Sequence, residues 1–588
     1  MIIYLNMDFY MNNKKNMQHQ LEQEKNREIL ENTVRNISEP LNVNAANGEK
    51  IYLIYQYFTP KTQKRLEEMQ ICMKKNVQNN AFEKIFLLNE RKYSREELGL
   101  KQYTHDIIDR RVEQVNINNR LKFSDVFDFV AKKKLLGFVV VINSDIFFDE
   151  TIRLLNKTDM HLHKSMLSLL RYEYRTYMLQ LSDARLFGPR GDSQDTWIFH
   201  SDYNIKEEYR RAFNFYFSQP GCDNKLLYLY KTLGYKLYND PQAVKSYHLH
   251  ADVGRNYNLQ PLPTPYYIMM PYKQEGYGNG LNNIFANSVR YNMETDSKNF
   301  NEYLKQVVSN NKNFIIPRIA GIENNVAYLG YEMMKNNGHL ESSKINYLKS
   351  AVKTMKNNAG IKLSTMNSIM EYAKLYLNAF DKCSVYTDWE THGNVYRGIK
   401  GSHDFITNSY ASTKKPIWAR TLDVFEYIHA EPWTECLSGK KILIISSFVK
   451  TIEQNIENRN NIYHKDLFPS CQFVYLKPPQ TNGQNNSRDF TLELKDFCNE
   501  ITQIKDTFDI ALVSCGGYGN LVCSHIYDLN KSAIYVGGVL QMYFGILGAR
   551  WKRERPDILR LYYNENWHSP TPQERPKGFE NIEGSCYW

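Results

Sequence analysis

The chain has 588 residues, 42% hydrophobic and 23% charged, with a formal charge of +10. That length exceeds what one hydrophobic core serves, so two or three domains are expected, and the composition argues against both a disordered chain and a membrane protein. Nine Cys, scattered without CxxC or Cys/His spacing, argue against a disulfide framework and a structural zinc site and fit reduced thiols in a cytoplasmic compartment.

The basic charge favours anionic partners such as nucleotide diphosphates or phosphorylated glycans; without a dense basic run or a nucleic-acid motif, nucleic acid is set aside as a partner. The 43 Tyr suit stacking on sugars and bases, and serve equally well to fill two cores.

In chain order, MIIYLNMDFYMNNKKN lacks the basic segment and apolar core of a signal peptide. Residues 1–45 read as a polar helical extension, with Leu21, Ile29, Leu30, Val34 and Ile37 as sparse apolar positions, which either oligomerises or decorates. From Lys50 the pattern alternates: KIYLIYQYF, a helix from Lys64 to Val77, KIFLLN, a helix around Ser124–Lys134, then GFVVVINSDIFF. Nearly continuous apolar strands between helices predict a parallel sheet covered on both faces. The longest apolar stretch, LLGFVVVINSDIFF, is too short to span a bilayer and carries Asp145, so no transmembrane segment is expected.

In an open α/β sheet, ligands bind at the carboxyl ends of the strands, where Asn143, Ser144 and Asp145 fall. Asp145 there either holds Mg²⁺ or Mn²⁺ against a diphosphate or caps the next turn. Downstream, RYEYRTYMLQLSDARLFGPRGDSQDTWIF supplies Arg171, Glu173, Asp183, Asp192, Asp195 and Trp197. GCDNKLLYLYKTLGYKLYNDPQAVKSYHLH then brings Cys222, Asp223 and Asn224 to a helix start and ends in His248 and His250. The two His alternate along an extended stretch, so only one can reach a given ion.

The succession NSD, SQDTWIF, GCDN and HLH, over residues 49–255, resembles the GT-A-fold nucleotide-diphospho-sugar glycosyltransferases. The resemblance implies a metal, Mn²⁺ or Mg²⁺, on Asp145 with His248 or His250. It also implies donor contacts from Asn143, Ser144 and Asp223, Asp195 as the base that deprotonates the acceptor hydroxyl, and Trp197 stacked on a sugar face. Asn143 stands where a DxD motif has Asp, leaving one carboxylate fewer.

PLPTPYYIMMPYKQEGYGNGLNN breaks the periodicity, and the sequence divides into a domain over 46–260, a linker over 261–299 and a domain over 300–588. A helical stretch over roughly 322–380 precedes a second series, GKKILIISSF, CQFVYLKPP, FDIALVSCGGYGN and SAIYVGG, which predicts a second doubly wound sheet. NFIIPRIAGIENN has the form RxxGxE, with Arg318 suited to phosphate and Glu323 to metal or base chemistry; Gly516 and Gly517 form a strand-to-helix turn suited to an anion.

Together with GGVLQMYFGILGARW these features resemble the GT-D type of glycosyltransferase domain, although that family's paired acidic DxE motif is not evident here. The fold class expected is α/β, two doubly wound Rossmann-like domains, GT-A-like then GT-D-like. The function expected is a metal-dependent, bifunctional transfer of sugars from nucleotide-sugar donors to a glycan or glycoprotein acceptor. The competing readings are a non-catalytic glycan- or nucleic-acid-binding protein, and a C-terminal methyltransferase fused to one glycosyltransferase; the absence of an acidic residue ending SAIYVGG weighs against the latter.

Overall fold

The structure is a computed structural model that describes residues 48–175, 178, 180–249, 259–271, 274–278, 293–388, 399, 401–410 and 413–588. The expected N-terminal helix and oligomer contact, and His250, lie outside these residues.

The first half contains β1 (Ile51–Tyr55), β2 (Lys84–Asn89), β3 (Val112–Asn116), β4 (Phe138–Ile142), β5 (Ile146–Phe148), β6 (Ser165–Leu170), β7 (Tyr172–Tyr174), β8 (Arg185–Leu186), β9 (Gln194–His200), β10 (Lys236–Tyr238) and β11 (Ser246–Leu249). Seven of them form one sheet in the order β10-β6-β9-β4-β1-β2-β3. The sheet is parallel as expected except at β9, which runs antiparallel to both neighbours. A smaller sheet, β5-β11-β7-β8, sits beside it. Helices Gln63–Gln78 and Phe123–Lys133 match the predicted ones within a residue at each end.

Of the segment read as a linker, β12 (Tyr266–Met270) and β13 (Gln274–Gly278) pair as an antiparallel hairpin. The apolar run YYIMM drives this: Tyr267 is fully buried and its carbonyl accepts from Asn224.

The second half contains β14 (Ile315–Ile316), β15 (Val385–Asp388), β16 (Lys415–Trp418), β17 (Lys441–Ser446), β18 (Gln472–Leu476), β19 (Ile510–Ser514) and β20 (Ser532–Tyr535). Five form an all-parallel sheet, β14-β20-β19-β17-β18, and β15 pairs with β16. The helical stretch resolves into Gly321–Lys335, Ser342–Ala359 and Met366–Lys382.

Side-chain alternation sorts each sheet between two cores. Leu443 and Ile445 of β17 face the helices of the second half. Ile442 and Ile444 instead join one cluster with Tyr52, Ile54, Val139 and Val141 of the first sheet. Across this shared core runs a buried ion pair, Lys225 Nζ to Asp557 Oδ2 at 2.6 Å. Arg211 Nε also donates to the Arg560 carbonyl at 2.6 Å. Among the described residues no helix is long and apolar enough to cross a membrane.

Candidate functional site

Thr62 caps the helix Gln63–Gln78 by accepting from the Arg65 amide. Arg65 and Glu68, three residues apart, therefore share one face of the first turn. That face meets the end of β4: Arg65 Nη1 lies 2.7 Å from both Asp145 Oδ2 and Glu68 Oε2. Asp145 is 1% exposed.

The smaller sheet delivers the rest. His248 of β11 is in register with Glu173 of β7 and Ile146 of β5. Its Nε2 is 2.8 Å from Asp145 Oδ2 and its Nδ1 is 3.1 Å from Glu173 Oε1. Burial lowers the imidazole's proton affinity, but the two carboxylates outweigh it and the pKa is raised. The Glu173 carboxyl, penalised by burial yet bonded to His248 and Arg171, is pulled down to about 2.

Arg171 extends the network. Its Nε donates to Glu173 Oε1 at 2.9 Å, and its Nη1 donates to Ser193 Oγ at 2.7 Å and to Asp195 Oδ2. The other oxygen of Asp195 accepts from Asn143 Nδ2 at 2.6 Å. The structure thus brings Asn143, Asp145, Asp195 and His248 together, with Ser144 buried between the first two. Each oxygen of Asp195 already accepts a hydrogen bond, from Asn143 and from Arg171, so the carboxylate is held in place by its neighbours.

Trp197 corrects the sequence reading. It is 2% exposed and its indole packs edge-on against Phe123 at 5.0 Å and Phe217 at 5.8 Å, so no sugar face can reach it. The aromatic packing beneath the sheet wins over an exposed platform.

Asp223 begins the helix Cys222–Thr232 and remains partly exposed. Its Oδ1 accepts from the Asn224 amide at 2.9 Å and its Oδ2 weakly from the Gln194 amide at 3.3 Å. Desolvation first, and then Asp195 and Asp192, push its pKa up to about 7. A carboxyl poised near neutrality beside Asp195 suits general acid or base chemistry.

The expected Mn²⁺ or Mg²⁺ does not fit this arrangement. Asp145 Oδ2 already receives a guanidinium and an imidazole, and Asn143 supplies an amide where a carboxylate would serve. Among the described residues no three His, Cys, Asp or Glu side chains are gathered around one point for an ion. Of the two candidate histidines, His248 is directed at Asp145, and His250 lies outside the described residues.

At the second sheet, Arg318 follows β14 and is locked by Asn520, which accepts from its amide and donates to its carbonyl, both at 2.9 Å. Arg318 Nη1 donates to the Val536 carbonyl at 2.6 Å, across Gly537, where φ is +75° and a Cβ would lie 2.5 Å from that nitrogen. Glu323, in the first turn of the next helix, is partly exposed with no ion pair among the described residues. Desolvation, reinforced by Glu583, lifts it to about 7.

Gly516 is exposed and Gly517 buried at the turn after β19. Added Cβ atoms would strike the Ala359 carbonyl at 2.8 Å and Ile361 at 2.5 Å, and their carbonyls accept from Tyr535 and Tyr372. Sequence reasoning also passed over Asp388, buried at the end of β15, where the neighbouring Thr387 bridges to Arg318. The signal was in the sequence: Asp388-Trp389-Glu390 has the DxE form.

No protein-family model matches the chain, and no curated protein matches it. Among solved structures it is similar in part to GalNAc-T7 with UDP, GalNAc and Mn²⁺ (10% identity, TM-score 0.25, covering 35% of this chain) and spans only 45% of that chain's length. It is similar also to the mannosyltransferase PcManGT from Pyrobaculum calidifontis in complex with GDP-Man and Mn²⁺ (9%, TM-score 0.24, 64% of this chain and 85% of that one). A third likeness is to a domain of unknown function, DUF1792 (14%, TM-score 0.22, 48% and 96%).

Proposed function

We propose that the chain is a glycosyltransferase that moves a sugar from a nucleotide-sugar donor to a glycan or glycoprotein acceptor at the carboxyl edge of its first sheet. The observation that carries this reading is convergence: Asn143, Asp145, Arg171, Asp195 and Asp223 come from separate segments to the one edge of an α/β sheet where ligands bind. The acceptor hydroxyl attacks the anomeric carbon as the bond to the diphosphate breaks. Its proton passes to Asp223, and the bonding electrons leave with the diphosphate. Arg171, Arg175 and Arg190 supply positive charge on that side. Asp195, held by Asn143 and Arg171, positions the site, and no step runs through a metal on Asp145.

A second activity at Arg318, Glu323 and Asp388 belongs to the same reading, as does the division into 46–260 and 300–588. A thermal-shift panel of nucleotide sugars tests it, because a ligand that binds only the native state at about 100 times its Kd adds roughly 2.7 kcal/mol. At least one nucleotide sugar should raise Tm. A panel without effect overturns the reading and leaves a binding protein of another class.

A further inference from the structure

The feature of the first site that transfer chemistry does not explain is Arg65. Its guanidinium makes two contacts of 2.7 Å, to Asp145 Oδ2 and to Glu68 Oε2, and both carboxylates are almost completely buried. Arg65 is no mobile surface cation, because it sits in a helical turn fixed by the Thr62 cap with 18% of its side chain exposed. A divalent ion bonds a carboxylate oxygen at about 2.1 Å. At Asp145 Oδ2 such an ion would be forced against a guanidinium nitrogen already 2.7 Å from that oxygen, and a neighbouring imidazole at 2.8 Å. A guanidinium and an imidazole thus hold the position an ion would need. Both ring nitrogens of His248 face carboxylate oxygens, Nε2 that of Asp145 and Nδ1 that of Glu173, so the imidazole bridges the two.

Resting on the glycosyltransferase reading above, we propose that Arg65 is the fixed cation of the first site. It neutralises Asp145 in place of a divalent ion, so a nucleoside diphosphate binds at this edge without metal. Arg65 is on this account a positioning residue. It keeps the Asp145 carboxylate from repelling the incoming diphosphate, with a charge built into the fold and requiring no ion to be recruited.

Two measurements on the full chain test this, each with a readout besides turnover. The first counts bound Mn²⁺ from the free-ion paramagnetic resonance signal, with and without UDP, in the wild type and in Asp145→Asn. Comparing the two proteins isolates Asp145 from any ion held elsewhere. Equal counts are expected; one ion fewer in Asp145→Asn would overturn the proposal. The second measures UDP affinity in excess chelator for the wild type, Arg65→Met and Arg65→Lys. Affinity should persist in the wild type, be held largely by Lys, and fall at least about tenfold with Met, a change of about 1.4 kcal/mol. Unchanged affinity in Arg65→Met, or loss of wild-type binding on chelation, would contradict it. If neither UDP nor GDP binds under any condition, the glycosyltransferase reading fails, while the Mn²⁺ count still decides whether Asp145 is a metal ligand.

Discussion

At the carboxyl edge of the first sheet, Asp145, Glu173 and Asp195 are each paired with an arginine, whereas Glu323 at the edge of the second sheet has no ion pair among the described residues. The paired edge is preorganised: its charges are fixed before any ligand arrives, and the only carboxyl left poised near neutrality is Asp223, outside the network. At the second edge, desolvation keeps Glu323 protonatable. Two edges of similar topology thus reach a titratable carboxyl near pH 7 by different routes, one by setting a group beside a saturated network and the other by withholding a partner.

The two halves share one apolar core, and the ion pair that crosses it is where their coupling is tested. Lys225→Met leaves Asp557 buried without its partner, and should cost about 3–5 kcal/mol in denaturant unfolding. Lys225→Met with Asp557→Leu should recover most of the loss. If Lys225→Met is silent, the ion pair adds nothing to the seam, which then rests on the shared apolar core alone.

His429 lies in the same seam, near-parallel to Tyr562 at 6.1 Å and edge-on to Tyr209 at 5.8 Å. Burial first, then Lys164, Lys465, Lys206 and His464, push its pKa down to about 3. The unfolded chain binds the proton more readily, so stability is complete above the ordinary value of 6.5 and is lost as pH falls from there towards 3. The loss should amount to about 5 kcal/mol at most, less after solvent screening, and His429→Phe should flatten the acid limb of a Tm-versus-pH curve. An unchanged limb would assign acid lability to other groups.

Trp197 separates the two meanings of an aromatic residue at the first edge. Trp197→Phe should lower stability by about 1–2 kcal/mol and leave the KM for nucleotide sugar unchanged. A raised KM at constant Tm would restore it as a sugar platform.

The smallest effect sharpens the contrast at the second edge. Glu323 has a raised pKa, so its stabilising protonated form is lost as pH rises through about 7. Glu323→Gln should therefore gain on the wild type in Tm between about pH 5 and pH 8, by about 1 kcal/mol or less after solvent screening. An opposite trend would show that the carboxylate has a cationic partner.

Much of the scaffold was legible because fully buried strands write themselves as apolar runs: FVVVI, KILIIS and IALVS became β4, β17 and β19. The antiparallel direction of β9 was not, since the run QDTWIFH reads the same either way. The site was half legible. Asn143 and Asp145 stood out as the end of an apolar strand, and Asp195 and His248 through the resemblance carried by SQDTWIF and HLH. Arg65 was missed because its partner is 80 positions away and an Arg in a polar helix looks like a solvated one; nothing local marks such a pair. Asp388 was missed because VYTD is too short a run to announce a strand. Trp197 was misassigned because the order of the motifs was read as a site without regard to the strand: β9 is buried on both faces from Thr196 onward.

Sugar transfer at the first edge with Asp223 taking the acceptor proton is tested by the pH dependence of nucleotide-sugar turnover in the wild type and in Asp223→Asn. Turnover should rise through about pH 7 in the wild type. In Asp223→Asn it should fall by about 10²–10⁴-fold and lose that limb, with nucleotide affinity and Tm nearly unchanged. Turnover that keeps both its rate and its limb in Asp223→Asn would contradict the account.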